Sequence, residues 1–80
     1  MVTIRLFAAA RAAAGASEVE IESGPVAAVL AELVARSPGD LARVLPHCAV
    51  VAAGERFEHS SAAVLAPGTI LDVLPPFAGG

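Results

Sequence analysis

One stretch of this chain has the full period of an amphipathic helix, and it lies between segments that alternate residue by residue. Val26, Val29, Leu30, Leu33 and Val34 recur at i, i+3, i+4, i+7 and i+8, the spacing that gathers apolar side chains on one helical face. Upstream, Val2, Ile4 and Leu6 alternate with Thr3, Arg5 and Phe7, and Glu18-Val19-Glu20-Ile21-Glu22 alternates strictly. Downstream, Cys48 to Ala53 is a Val-rich apolar run, and Thr69 to Leu74 places Leu71 and Val73 on one face with Asp72 on the other. In a chain of 80 residues, one main helix and this many strands leave a single solution. It is an α+β domain with the helix packed on one face of a mixed sheet of four to five strands.

Turn residues divide the rest. Ala8 to Ala14 reads as a loop with a helical turn, closed by Gly15. The glutamates make Glu18 to Glu22 an edge strand that resists edge-to-edge pairing. Gly24 suits a helix N-cap and Pro25 the first helical position. Ser37-Pro38-Gly39 stops the helix, and Asp40 can cap a short second turn carrying Leu41, Val44 and Leu45, ended at Pro46. Gly54-Glu55 turns the chain into a brief strand at Arg56-Phe57-Glu58, His59 to Leu65 is a loop, and Pro67-Gly68 is a turn. The first and last strands, both strongly apolar on one face, are expected to be neighbours at the sheet centre. Residues 1–74 form the domain and 75–80 a C-terminal tail.

Composition removes several function classes. Five arginines (5, 11, 36, 43, 56) are scattered, there is no lysine, and the net charge is −3. Nucleic-acid binding needs clustered cations, so it is not expected. No apolar run approaches the roughly 20 residues that span a bilayer, and the start lacks a signal-peptide pattern, so the expected location is cytoplasmic. A single Cys48 fits that setting and is expected to be a buried core thiol. His47 and Cys48 are adjacent and point apart in a strand, His59 stands alone, and no spacing fits a zinc site, so no metal is expected. A chain this small is also expected to lack a pocket of several hundred Å³, which argues against a stand-alone enzyme.

The tail, Pro75-Pro76-Phe77-Ala78-Gly79-Gly80, carries the chemistry. Two prolines favour an extended path and cannot extend a sheet. Two glycines without Cβ atoms can thread a narrow channel. The outcome is an arm with an apolar anchor, Phe77, and a thin tip bearing the Gly80 carboxylate. A carboxylate is a poor electrophile until ATP converts it to an acyl adenylate. A sulfur nucleophile can then displace AMP and leave a thiocarboxylate, and an enclosed site would shield that step from water.

These features resemble a known family. Ile4-Arg5-Leu6-Phe7-Ala8 with Arg11 and Gly15, Val26 through Leu33, Gly54-Glu55, Pro67-Gly68-Thr69, Val73-Leu74 and the Pro-Pro-x-x-Gly-Gly end are similar to MoaD, the small subunits of molybdopterin synthase, within the ubiquitin-like sulfur carriers. The resemblance implies a β-grasp fold. It implies a sulfur-donating subunit, not catalytic alone, of a heterotetrameric sulfurtransferase in molybdenum cofactor biosynthesis. An E1-like adenylyltransferase of the MoeB type would use ATP to adenylate Gly80, and a sulfurtransferase would supply sulfur. Gly79 would give access, and the large subunit, MoaE, would receive the tail and pass sulfur to precursor Z (cyclic pyranopterin monophosphate). Phe7, Arg11, Leu74, Pro75, Pro76, Phe77 and Ala78 would contact partners, and no cofactor would be bound permanently.

Two departures stand out. Ala52-Ala53-Gly54 replaces the family's frequent Val-Asn-Gly, so a turn-stabilising Asn is absent, and Arg56 replaces a common apolar residue. Other readings share the Gly-Gly end: a sulfur carrier for thiamine or cysteine biosynthesis, or a ubiquitin-like protein modifier. A plain interaction module with an incidental tail is a further one. Without lysine, a modifier of this sequence could not build isopeptide-linked chains on its own side chains.

Overall fold

A computed structural model describes residues 1–37 and 39–75 of the chain. Its elements are β1 (Val2–Leu6), α1 (Ala8–Ala14), β2 (Glu18–Ile21), β3 (Gly24–Pro25), α2 (Val26–Arg36), α3 (Leu41–Val44), a 3-10 turn (Leu45–His47), β4 (Ala49–Ala52), β5 (Glu55–Phe57), β6 (Val64–Leu65) and β7 (Ile70–Leu74). Five strands make one sheet in the order β2-β1-β7-β4-β5, and β3 pairs with β6 in a separate two-stranded ribbon. β1 and β7 are neighbours at the centre, as expected, and the structure shows that they run parallel, with Ile4 opposite Leu71 and Leu6 opposite Val73. The other pairs in both sheets are antiparallel. This is the β-grasp arrangement: a mixed sheet holding its main helix across one face.

Alternation decides which face is covered. Val2, Ile4 and Leu6 of β1, Ile21 of β2, Val50 and Ala52 of β4, and Leu71 and Val73 of β7 are all buried on the inner side. Against them α2 lays Val26, Val29, Leu30 and Leu33, while α3 and its 3-10 turn add Leu41 and Leu45. Each large aliphatic side chain removed from water here contributes about 1.5–3 kcal/mol before the entropy of ordering it. No described polar or charged residue is buried, so the core asks for no internal ion pairing.

Four local expectations are corrected. Ala8 to Ala14 is a seven-residue helix, not a loop with a turn. Alanine has the highest helix propensity, and Ala10 and Ala14 are buried, so small side chains let α1 sit close to the core. Gly15 closes α1 at φ 76°, donating its N–H to the Arg11 carbonyl at 3.0 Å. The loop before β7 holds strand β6, and Gly24-Pro25 is its partner rather than only a helix start. Pro25 is the N-cap and Val26 begins α2. The N–H groups of Val26 and Ala27 find the carbonyls of Ala63 and Ser61 at 2.9 and 3.1 Å, so a distant loop satisfies the helix start in place of a side-chain cap. Asp40 does precede α3, but its carboxylate turns to Arg43 Nε at 2.9 Å and does not cap the backbone.

The β4–β5 hairpin turns through Ala53 at φ 51° and Gly54 at φ 78°. Two successive positive φ values are the mark of the type I′ turn that follows the sheet's twist, and they favour Asn-Gly. Alanine at the first position carries left-handed strain of about 1 kcal/mol. Ala53→Asn and Ala53→Gly should therefore raise the thermal midpoint, by about 4 °C or more for a domain of this size. Ala53→Val should lower it, and circular dichroism melts would read both changes.

Candidate functional site

Parallel pairing of the first and last strands determines where the tail leaves. Leu6 sits opposite Val73, so the next residues along, Phe7 and Leu74, end their strands side by side. Both follow the outward alternation: Phe7 is 40% exposed and Leu74 is half-buried on the face turned away from the helices. Pro75 leaves from the same end, half-buried. It borders a cleft of about 290 Å³ lined also by Ala9, Arg43, Val44 and His47, between α1 and the α3 region. Arg11 is exposed one helical turn after Phe7, its N–H donating to the Phe7 carbonyl at 3.3 Å. Pro76, Phe77, Ala78, Gly79 and Gly80 lie outside the described residues.

The outer sheet face next to this exit has a defined pattern. Across the strands, register aligns Glu18, Arg5, Asp72, Val51 and Arg56 in one row. A second row is Glu20, Thr3 and Ile70, and Leu74 stands opposite Ala49. At the centre Arg5 grips Asp72 with two bonds, Nε to Oδ1 at 2.6 Å and Nη2 to Oδ2 at 2.9 Å. The hydrogen bond to Asp72, then its charge, push the Arg5 guanidinium above its ordinary range. The same guanidinium lies 5.8 Å from the centre of the Phe7 ring, within cation–π reach. Around the pair, Ile70 is 49% exposed, and Val51 and Ala49 are half-buried. The face thus sets an apolar patch of Phe7, Ile70, Val51, Ala49 and Leu74 around the Arg5–Asp72 pair, with exposed Glu18, Glu20 and Arg56 at its sides, and it reaches the tail's root. Sequence reasoning named Phe7 and Leu74 but missed Arg5, Asp72, Ala49, Val51 and Ile70. Strand alternation marked them as outward-facing, but only register shows that they converge.

Elsewhere the chemistry is sparse. The Cys48 thiol is buried and lies 3.4 Å from the Val44 carbonyl, and burial pushes its pKa up. His59 Nε2 lies 2.8 Å from the Cys48 carbonyl, tying the loop after β5 to the start of β4. Beside them an open cleft of about 520 Å³ is lined by Pro46, Cys48, Arg56, Phe57, Glu58, His59 and Ser60. The expectation of no hollow of several hundred Å³ is therefore wrong, because a short edge strand and a long loop leave a trough on the surface. Among the described residues no three His, Cys, Asp or Glu side chains are grouped to hold a metal ion. No helix among them is long and apolar enough to cross a membrane.

The family model for ThiS matches residues 4–80, nearly the whole chain. The chain belongs to the ThiS family. No curated protein matches it. Among solved structures, the small archaeal modifier protein 1 of Haloferax volcanii is 27% identical with a TM-score of 0.77, covering 99% of this chain and 98% of that one. A second structure of the Haloferax protein is 26% identical with a TM-score of 0.71, covering 95% and 97%. The solution structure of small archaeal modifier protein 1 from Methanosarcina acetivorans is 25% identical with a TM-score of 0.82, covering 99% and 95%.

These likenesses correct the molybdopterin synthase reading. The structures that this ThiS-family chain resembles are protein modifiers, so the sulfur-donating enzyme subunit, the thiocarboxylate, the precursor Z substrate, and the MoaE, MoeB-type and sulfurtransferase partners are withdrawn. The physical reason lies in the tail motif. A stiff Pro-Pro segment and a bare Gly-Gly tip serve any enzyme that must adenylate a terminal carboxylate, whichever nucleophile follows.

The buried thiol gives a pH test. Its folded pKa is raised above the ordinary 9.0, so the unfolded chain loses the proton first as pH rises. Stability should decline with pH above about 9, and Cys48→Ala should remove that component of the decline. Urea unfolding at several pH values would read it. Alkylation of Cys48 by iodoacetamide near neutral pH should be at least about tenfold slower in the folded protein than in denaturant.

Proposed function

We propose that this protein is a ubiquitin-like modifier whose Gly80 carboxyl group is activated and joined to amines of other proteins. The observation that carries this reading is the near end-to-end alignment with two archaeal modifiers, which spans 98% and 95% of their chains. It is supported by the family match, which runs through Gly79 and Gly80.

The steps follow from carboxylate chemistry. An E1-like activating enzyme positions ATP so that a Gly80 carboxylate oxygen attacks the α-phosphorus, forming the acyl adenylate and releasing pyrophosphate. A target amine then attacks the acyl carbon, AMP leaves with the bonding electron pair, and the amine loses a proton as the amide forms. The protein's own part is presentation. Gly79 and Gly80 carry no side chain to obstruct a narrow channel, and Pro75 and Pro76 limit the entropy lost when the arm is threaded. Phe7 and Leu74, with Val51, Ala49 and Ile70 around the Arg5–Asp72 pair, form the docking face, with exposed Arg11 one helical turn beyond Phe7. The absence of lysine directs the product to other proteins, since no side chain here offers an amine.

Incubation with ATP, an E1-like enzyme and a lysate of the source organism should yield adducts stable to boiling, thiols and hydroxylamine. No arginine or lysine follows Arg56, so trypsin should leave residues 57–80 as a branch on acceptor lysines. Deletion of Gly79 and Gly80 should abolish the adducts. Their absence, with the enzyme shown to release pyrophosphate on this protein, would overturn the proposal. Phe7→Asp should slow activation by about tenfold or more if that ring anchors the docking face, with the fold intact by circular dichroism.

A further inference from the structure

We infer that the free edge of β2, together with the groove between it and α2, is a docking site for an extended basic peptide. The peptide would add a sixth strand to the sheet, and the inference is independent of the tail chemistry.

Three observations converge. First, β2 is the outermost strand, and among the described residues no strand lies on its far side. Leu6 N–H bonds the Ser17 carbonyl at 2.9 Å, so Ser17, Val19 and Ile21 turn their backbone groups toward β1, and Glu18 and Glu20 turn theirs outward. Outward N–H and C=O groups in a row are a template for a further strand. Second, the space such a strand would border is already hollow. A groove of about 380 Å³ is lined by residues that include Ile21, Pro25, Ala28, Val29, Glu32 and Arg36. Pro25 and Ala28 are its exposed apolar side chains, Ile21 and Val29 lie buried against it, and exposed Glu22, Glu32 and Arg36 supply its polar surface.

Third, one side chain holds the edge. Arg36 donates from Nη1 to the Glu20 carbonyl at 2.9 Å and from Nε to Glu32 at 2.8 Å. The guanidinium occupies the acceptor at the centre of the free edge and stands where an incoming strand's N–H would bond. Arg36 is therefore a plug that a peptide backbone would displace.

Charge selects the occupant. Glu18, Glu20 and Glu22 are exposed along the strand, Glu32 lies across the groove, and the whole chain carries −3. A second copy of this chain would set glutamates against glutamates, which is unfavourable across paired strands. A partner with Lys or Arg at alternate positions would face the glutamates on the outer side, and its intervening apolar residues would drop into the groove. The other sheet edge, β5, is three residues long and mixes Glu55 with Arg56, so it offers no comparable selection.

The test uses the isotopically labelled full chain and a short capped peptide, Ala-Lys-Val-Arg-Val-Lys-Ala. Amide shifts should localise to Glu18 through Glu22 and the facing turns of α2, with the outward N–H groups of Glu18 and Glu20 gaining protection from exchange. Binding should weaken severalfold when salt shortens the screening length to about 3 Å. Arg36→Ala should tighten binding severalfold by freeing the Glu20 carbonyl, and the double change Glu18→Lys with Glu20→Lys should abolish it. A peptide with Glu in place of Lys and Arg, or with Pro at its centre, should not bind. Shifts confined to β5 or to the Phe7 face, no shift at millimolar peptide, or dimerisation of Arg36→Ala in place of peptide binding would each overturn the inference.

Discussion

The pairing of β1 with β7 joins the two ends of the chain, and the rest of the molecule is arranged around it. Ile4 against Leu71 and Leu6 against Val73 bring together residues 67 apart in sequence. β2 can attach only to the free side of β1, and β4 only to the free side of β7. The helices then cover the one face on which both central strands present aliphatic side chains. Because the contact is long-range, its loop-closure entropy must be met before the core gains from it. The two strands must also be parallel. An antiparallel last strand would send the tail out beside Thr3, far from Phe7 and from the Arg5–Asp72 pair.

The working surface follows from that single geometric choice. The same register that seals Leu71 and Val73 inside places Asp72 beside Arg5 outside, because neighbours along a strand face opposite ways. An exposed ion pair of this kind contributes little to stability. Its two parallel bonds fix the direction of a guanidinium that would otherwise swing freely, and they hold it near the Phe7 ring. The outer face is therefore rigid and partly apolar, and it runs without interruption to Pro75. On the opposite flank, the Arg36 plug on β2 serves an ordinary protective purpose as well. It masks one carbonyl of an edge whose glutamates already discourage self-pairing.

Local signals made much of this legible. Periodicity located α2, the two central strands and the acidic edge strand, and Gly15 marked the end of α1 by the left-handed conformation it adopts. What escaped had non-local causes. A run of alanines has no strong period, so the sequence predicts only a loop with a helical turn where burial of Ala10 and Ala14 against the core stabilises a full helix, α1. The β3–β6 ribbon consists of two residues on each side, too few to show alternation, and exists because the loop at Ser61 to Ala63 bonds the start of α2. The functional reading was misled by the tail. A Pro-Pro segment followed by Gly-Gly suits the threading of a terminal carboxylate equally in a sulfur carrier and in a protein modifier, so it does not tell them apart.

The sequence by itself determined the fold class, the identity of the core side chains, the glutamate-lined strand, the lack of any acceptor lysine and the Gly-Gly end. Each of these is a property of one residue or of a short repeating pattern, and such properties survive without a partner. The tertiary structure alone decided which outward residues meet, namely Arg5 with Asp72, Phe7 with Leu74, and Arg36 with the Glu20 carbonyl. Strand order and register bring together residues distant in the chain, and a one-residue slip of β7 would have turned Asp72 and Leu74 to the other face.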